Sequence, residues 1–315
     1  MSSLAKHAWG LQYLHMKLFA ILMRSITMPF QWLGNRMHNL LDGAVCRRIF
    51  VPSRDDGRFI EVKLHEATGY DSTKPTPVLV NIHGSGFILP SLGSDSNFCE
   101  HVATRTRCVV FDIDYRKAPE HPFPAALQDI EDVLAYLGAH PDRFDASNIF
   151  LSGFSAGGCL ALSTSASLGP NRIKGVVAIY APLDFTTRHA APEKSYLSGM
   201  ALPGWLCDRF DVSYVLPGQP RDDPRLSPIF APWNRFPKHV YAACGDGDIL
   251  YQSNVEWMQK LKDAGHQDAT FEKIEREGHG FDKFAKEGSE SAAKRDNMYA
   301  AAIDMINRVV NTDYN

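Results

Sequence analysis

The stretch from Asn148 to Leu162, NIFLSGFSAGGCLAL, constrains this chain more than any other. Ile149-Phe150-Leu151 is a short apolar run, Gly153-Phe154-Ser155-Ala156-Gly157 interrupts it, and a small-residue apolar segment follows. This reads as strand, very tight turn, helix, the setting in which G-x-S-x-G holds a serine hydroxyl clear of the backbone. Glycines on either side of Ser155 remove the Cβ atoms that would collide as the chain reverses. The N–H of Ala156 is left free at a helix start, where it can face an anion. The alternative is a Gly/Ser turn that only packs a helix on a sheet, and the rest of the chain has to decide.

The rest alternates in the same way. Residues 77–82 and 108–113 are continuous apolar runs, suited to strands buried on both faces. Further strands are expected at 175–180, 239–243 and 269–274, and helices at 127–137, 253–264 and 291–310. Such alternation implies a mostly parallel sheet with helices on both faces, an α/β fold. Upstream, 46–67 is strand-like; residues 58–64 alternate with period two, and Asp55-Asp56-Gly57 marks a hairpin turn. Residues 183–228 break the rhythm with Pro203, Trp205, Phe210, Tyr214 and Pro217, as an inserted lid would. Residues 1–45 read as an N-terminal helical cap, two amphipathic helices broken at Pro29, which leaves 46–182 and 229–315 as the core.

Size and charge exclude several classes. A chain of 315 residues suits one α/β unit with an added lid. A formal net charge of −3 leaves no nucleic-acid footprint. The only continuous apolar run of the first helical segment, 18–23, is too short to span a membrane, and no signal-peptide cleavage site follows. Six scattered cysteines form no C-x-x-C pair, which argues against a zinc site or a disulfide framework. With no N-x-S/T sequon, a cytoplasmic protein without metal or other cofactor is expected.

A serine hydroxyl needs a base within hydrogen-bond reach to act as a nucleophile. His279, in Glu277-Gly278-His279-Gly280-Phe281, follows the last strand and precedes the last helix. In the chain order serine, acid, histidine it stands where such a base belongs. The acid belongs in the loop after strand 239–243, where Asp248 is favoured over Asp246. Charge developing on a substrate carbonyl oxygen calls for preorganised N–H donors. Ala156 offers one, and the glycine-rich loop His83-Gly84-Ser85-Gly86 offers the rest.

Three segments together carry a resemblance: His83–Phe87 (HGSGF), Gly153–Gly158 (GFSAGG) and Asp114–Ala126 (DYRKAPEHPFPAA). From about residue 75 onward the sequence resembles the hormone-sensitive-lipase-like, or HGGG, esterase branch of the α/β-hydrolases. The resemblance implies an α/β-hydrolase fold with Ser155, Asp248 and His279 as nucleophile, acid and base, and with Ser85, Gly86 and Ala156 as oxyanion donors. It implies that Asp114–Ala126 buttresses the oxyanion loop, and it makes a homodimer through a sheet edge plausible. Two departures stand out: Ser85 replaces a usual glycine, and Phe154 replaces a common acidic residue.

The reading that follows is a serine carboxylesterase acting on small-molecule esters of short to medium acyl chain. A specialised hydrolase or lyase of secondary metabolism, cleaving a lactone, thioester or acetyl ester, is a second reading. A non-catalytic hydrolase-fold receptor is a third, although all three candidate catalytic residues are present. Phe87, Phe154, Met200, Leu202, Trp205 and Phe210 are candidate pocket walls. Trp9, Tyr13 and Phe19 are open to core packing, ligand contact or a membrane surface.

Overall fold

The computed structural model describes residues 3–71, 73–187, 196–266 and 268–313, with backbone alone for 3–9, 312 and 313. Eight strands form one sheet in the order β1-β2-β4-β3-β5-β6-β7-β8. They are β1 (Ala44–Pro52), β2 (Phe59–Ala67), β3 (Thr76–Ile82), β4 (Val109–Ile113), β5 (Phe144–Phe154), β6 (Gly175–Ile179), β7 (His239–Gly245) and β8 (Ala269–Ile274). β1 and β2 are antiparallel, β2 runs antiparallel to β4, and all pairs from β4 to β8 are parallel. Every residue of β3, β4 and β6 is buried, as continuous apolar runs require.

Helices cover both faces. They are α1 (Ser3–Met37), α2 (Ser96–Arg105), α3 (Ala125–Gly138), α4 (Ala156–Leu168), α5 (Gly204–Tyr214), α6 (Tyr251–Asp263), α7 (Phe281–Phe284) and α8 (Glu290–Asp313). Side chains alternate across a strand, so Val78, Val80 and Ile82 join one core with α3, α4 and α6. Leu79 joins a second core with α2 and α8.

Register places the site. Ile82 pairs with Gly153, Gly153 with Ala178, and Ile179 with Ala243. The C-terminal ends of β3, β5, β6 and β7 are therefore level, and the loops that follow them open at one edge. Over that edge lie α1 and α5, with the Phe19 and Phe210 rings 6.1 Å apart.

The N-terminal segment departs from expectation. It is one helix running through Pro29, not two broken there. Pro29 removes one helical hydrogen bond, which ordinarily breaks or kinks a helix. Here tertiary contacts hold both halves. Upstream, Arg24 donates to the Ile88 and Ala118 carbonyls at 2.9 and 2.8 Å and pairs with Glu120. Downstream, Asn35 donates to the Leu92 carbonyl at 3.1 Å and His38 bonds Glu100 at 2.7 Å. Within the expected lid, 188–195 lie outside the described residues, and α5 is the helix of the remainder. The helix α2, which is not among the expected helices, covers the second core with Phe98, Cys99, Val102 and Ala103.

Candidate active site

The turn after β5 is very tight. A Cβ at Gly153 would stand 2.3 Å from the Gly157 backbone, and one at Gly157 would stand 1.8 Å from the Ile82 carbonyl. No side chain fits either position. Between them Ser155 adopts φ 51° and ψ −123°, a conformation that non-glycine residues rarely take. Its N–H is tied to the Ile179 carbonyl at 2.9 Å, so the strain is held in place by the neighbouring strand.

Three loops converge on that hydroxyl. The Nε2 of His279 lies 3.0 Å from Ser155 Oγ, and its Nδ1 lies 2.8 Å from Asp248 Oδ2. The other oxygen of Asp248 accepts from the Leu250 N–H at 3.0 Å, which fixes the carboxylate plane. Asp246 faces elsewhere and accepts from the Arg276 N–H at 2.7 Å. Asp248 and His279 are both buried, as is Ala156. The imidazole also meets the Tyr180 ring edge-on at 4.8 Å.

Opposite the hydroxyl stands the loop after β3. Gly86 and Phe87 both have positive φ, 53° and 64°. A Cβ at Gly86 would fall 2.8 Å from the Phe210 ring, which explains glycine there. Among the described residues, the N–H groups of Ser85, Gly86 and Ala156 have no protein acceptor. Backbone N–H groups left without a protein acceptor are available to donate to a ligand.

Ser85 does not turn its side chain into the site. Its Oγ bonds the Tyr115 hydroxyl at 2.5 Å, and that hydroxyl donates to the His83 carbonyl at 2.9 Å. The 114–126 segment thus reaches the glycine-rich loop directly. His83 stacks on Tyr115 at 4.8 Å and contacts Asp114 at 3.5 Å, and the Ala118 N–H donates to the Phe87 carbonyl at 2.9 Å. Burial lowers the pKa of His83, and the Lys117 ammonium adds to that. Burial works to raise the Asp114 pKa, but His83 and Lys117 together hold it below the usual carboxylate range.

A cavity of about 590 Å³ opens from Ser155, mostly apolar, with Met23, Leu89, Met200, Leu202, Leu206 and Phe210 on its walls. Five of the six sequence candidates, Phe87, Phe154, Met200, Leu202 and Phe210, thus line it. Phe87 and Phe154 lie on its floor with their rings committed to packing, Phe87 stacked on Tyr214 at 4.0 Å. Phe154 packs against Phe98, Tyr180 and Tyr299, with the Lys283 ammonium 3.8 Å over its ring. The departure at 154 therefore changes the core beneath the turn. Trp205 is a correction: it is 62% exposed on the outside of α5 and absent from the cavity wall, because helical spacing turns it away from Leu206 and Phe210. The side chain of Trp9 lies outside the described residues.

Several supporting groups escaped sequence reasoning. Glu277 is fully buried and accepts from Ser291 Oγ at 2.8 Å and the Ser198 N–H at 3.1 Å. With the Met200 N–H on the His279 carbonyl at 2.9 Å, it straps residues 196–200 to the histidine loop. The signal was an acid two positions from His279 in a glycine-rich turn. Below the serine, Ser152 donates to Asn81, and Asn81 donates to Asp95 and Asp112 at 3.1 and 2.9 Å. Lys283 joins Asp95 to Asp282. One His/Cys/Asp grouping occurs among the described residues, His65, Cys99 and Asp112, where none was expected. The Asp112 oxygens accept from Asn81 and the Gly93 N–H, and the three residues are buried.

Strained serine, buried histidine and carboxylate on an eight-stranded sheet with this strand order define the alpha/beta hydrolases, a family of enzymes. The chain belongs to that family, in its hormone-sensitive-lipase-like branch: a sequence profile of the alpha/beta hydrolase fold matches residues 79–283. Over 201 residues the chain is 30% identical to an AB hydrolase superfamily protein of Schizosaccharomyces pombe, covering 60% of this chain and 59% of that one. It therefore spans about three fifths of that relative's length. It is 27% identical over 218 residues to the ethyl acetate hydrolase of Pseudomonas putida, covering 67% and 68% of the two chains. Among solved structures, the hyperthermophilic esterase of the archaeon Pyrobaculum calidifontis superposes with a TM-score of 0.79 at 26% identity, over 92% of this chain and 91% of that one. No helix among the described residues is long and apolar enough to cross a membrane.

Proposed function

We propose that the protein is a serine carboxylesterase that hydrolyses small-molecule esters through an acyl-enzyme. The observation that carries this reading is the line from Asp248 through His279 to Ser155, at 2.8 and 3.0 Å, at the cavity that Ser85, Gly86 and Ala156 also line. His279 Nε2 accepts the Ser155 proton as Oγ adds to the ester carbonyl carbon. Asp248 holds Nδ1–H and balances the imidazolium that forms. The carbonyl oxygen takes up negative charge against the N–H groups of Ser85, Gly86 and Ala156. Collapse of the tetrahedral adduct breaks the bond to the alkoxy oxygen, which leaves with the proton from Nε2. Water, deprotonated by His279, then adds to the acyl carbon and returns Ser155 with a carboxylic acid as product.

The apolar walls and the volume of the cavity suit short to medium acyl chains. The similarity to an ethyl acetate hydrolase and to an archaeal esterase supports the same reading. Ser155→Ala is expected to lower p-nitrophenyl butyrate turnover by roughly 10⁴-fold or more and to abolish labelling by a fluorophosphonate probe, with the fold unchanged. Undiminished turnover in that variant overturns the reading, and labelling without turnover of any ester in a panel shifts it to the specialised enzyme.

A further inference from the structure

The helix α1 has two faces of opposite character. Met16, Ala20, Met23, Arg24, Thr27 and Gln31 recur every three or four residues and are buried or half-buried against the core and cap. The other face should be polar in a helix that borders water. It is apolar instead: Leu11, Leu14, Leu18, Leu22, Met28 and Trp32 share it, and exposures on it run from 47% at Ile21 to 74% at Phe30. The charges of Lys17 and Arg24 are turned inward onto Glu120. A contiguous exposed stripe of this size is not ordinary protein surface.

We propose that this face docks the molecule onto a lipid surface and sets the mouth of the cavity against it. Two observations select the lipid as the occupant. First, the stripe is continuous with the cavity mouth: Phe30 belongs to both, and the exposed Met200 and Phe284 rim the same opening. A second protein seated there would close the entrance, whereas a lipid phase would feed it. Second, the 35 residues of α1 contain Lys and Arg but no Asp or Glu, so no carboxylate repels a membrane surface. The stripe lies along the helix side and the helix does not cross, so this is interfacial binding of an amphipathic helix. Delivery of a lipid-dissolved ester rests on the esterase reading above, and the docking itself does not.

The test is co-sedimentation of the full chain with vesicles of phosphatidylcholine, with and without phosphatidylglycerol, beside a variant carrying Leu14→Gln, Leu18→Gln and Leu22→Gln. These leucines touch no part of the cavity wall, and glutamine keeps the helix. Wild type is expected to sediment with vesicles and the variant to partition about a hundredfold more weakly. Both are expected to cleave water-soluble p-nitrophenyl acetate equally, while cleavage of a long-chain ester held in the vesicles falls in the variant alone. Wild type remaining in the supernatant overturns the proposal. So does light scattering that shows a wild-type dimer made monomeric by the three substitutions without vesicle binding. Vesicle binding with no ester cleaved by either protein leaves the docking standing and sinks the esterase reading instead.

Discussion

At the scale of single residues, the site depends on positions where a side chain is forbidden as much as on those where one acts. Gly86 shows this most simply, since its φ of 53° and the Phe210 ring at 2.8 Å from a built Cβ leave no room for alanine. Gly86→Ala is expected to displace an oxyanion donor and lower kcat by roughly 10²-fold, the loss typical of removing one donor. Steady-state kinetics on a short ester with an unchanged far-UV spectrum would check it, and kcat within twofold of wild type would mean that this N–H is not used. The replacement of glycine by Ser85 has the opposite logic. Its hydroxyl bonds Tyr115 and so joins the loop to the segment that buttresses it. Tyr115→Phe is expected to lower kcat by roughly tenfold with little change in KM, because a donor shifts while the cavity wall does not.

At the scale of elements, the long α1 is fastened by Glu120, which receives both Arg24 and Lys17. Burial works to raise the Glu120 pKa, but the Arg24 and Lys17 bonds outweigh it and hold it down at about 2. A folded pKa below the unfolded one means stability present above the unfolded value and lost as pH falls from about 4.5 toward 2. Glu120→Gln is expected to speed amide exchange in 12–30 at pH 7 and to raise KM more than it lowers kcat, since α1 supplies Met23 and Phe30 to the cavity. At pH 2 the two proteins should exchange alike. A sequence reading sees Pro29 and ends the helix, because propensity is local. Arg24, Asn35 and His38 keep it intact through partners some sixty to a hundred positions away, and nothing in the local pattern records those partners.

Across the whole molecule, two buried carboxyls oppose Glu120 in their response to pH. Burial raises Asp211, beside the cavity, to about 7; Arg221 pulls it down slightly and Asp208 pushes it up. Burial and the neighbouring Asp95 likewise bring Asp112 to about 7. For an acid with a raised folded pKa the sign reverses: the native state holds a proton that the unfolded state has released. Stability therefore falls as pH rises from about 4 to about 7 and levels off beyond. Asp211→Asn is expected to raise the urea midpoint at pH 8 and leave it unchanged at pH 4. Equal midpoints at pH 8 would show that the carboxyl is solvated.

Much of this protein is legible in its sequence, for a definite reason. The G-x-S-x-G turn and the continuous apolar strands are properties of neighbouring residues, and the order serine, aspartate, histidine is a property of the linear chain, and these are what a sequence displays. The HGSGF, GFSAGG and 114–126 segments point the same way. What the tertiary structure alone decided is everything set by direction in space. It turned the Asp248 carboxylate, which the sequence already favours, toward the imidazole and the Asp246 carboxylate toward the Arg276 amide. It turned Trp205 outward and Phe154 into the core, and it built the Glu277 strap and the Asn81 network from residues far apart in the chain. It also left the apolar side of α1 uncovered beside the cavity mouth, since which side of a helix meets the core depends on what that helix packs against.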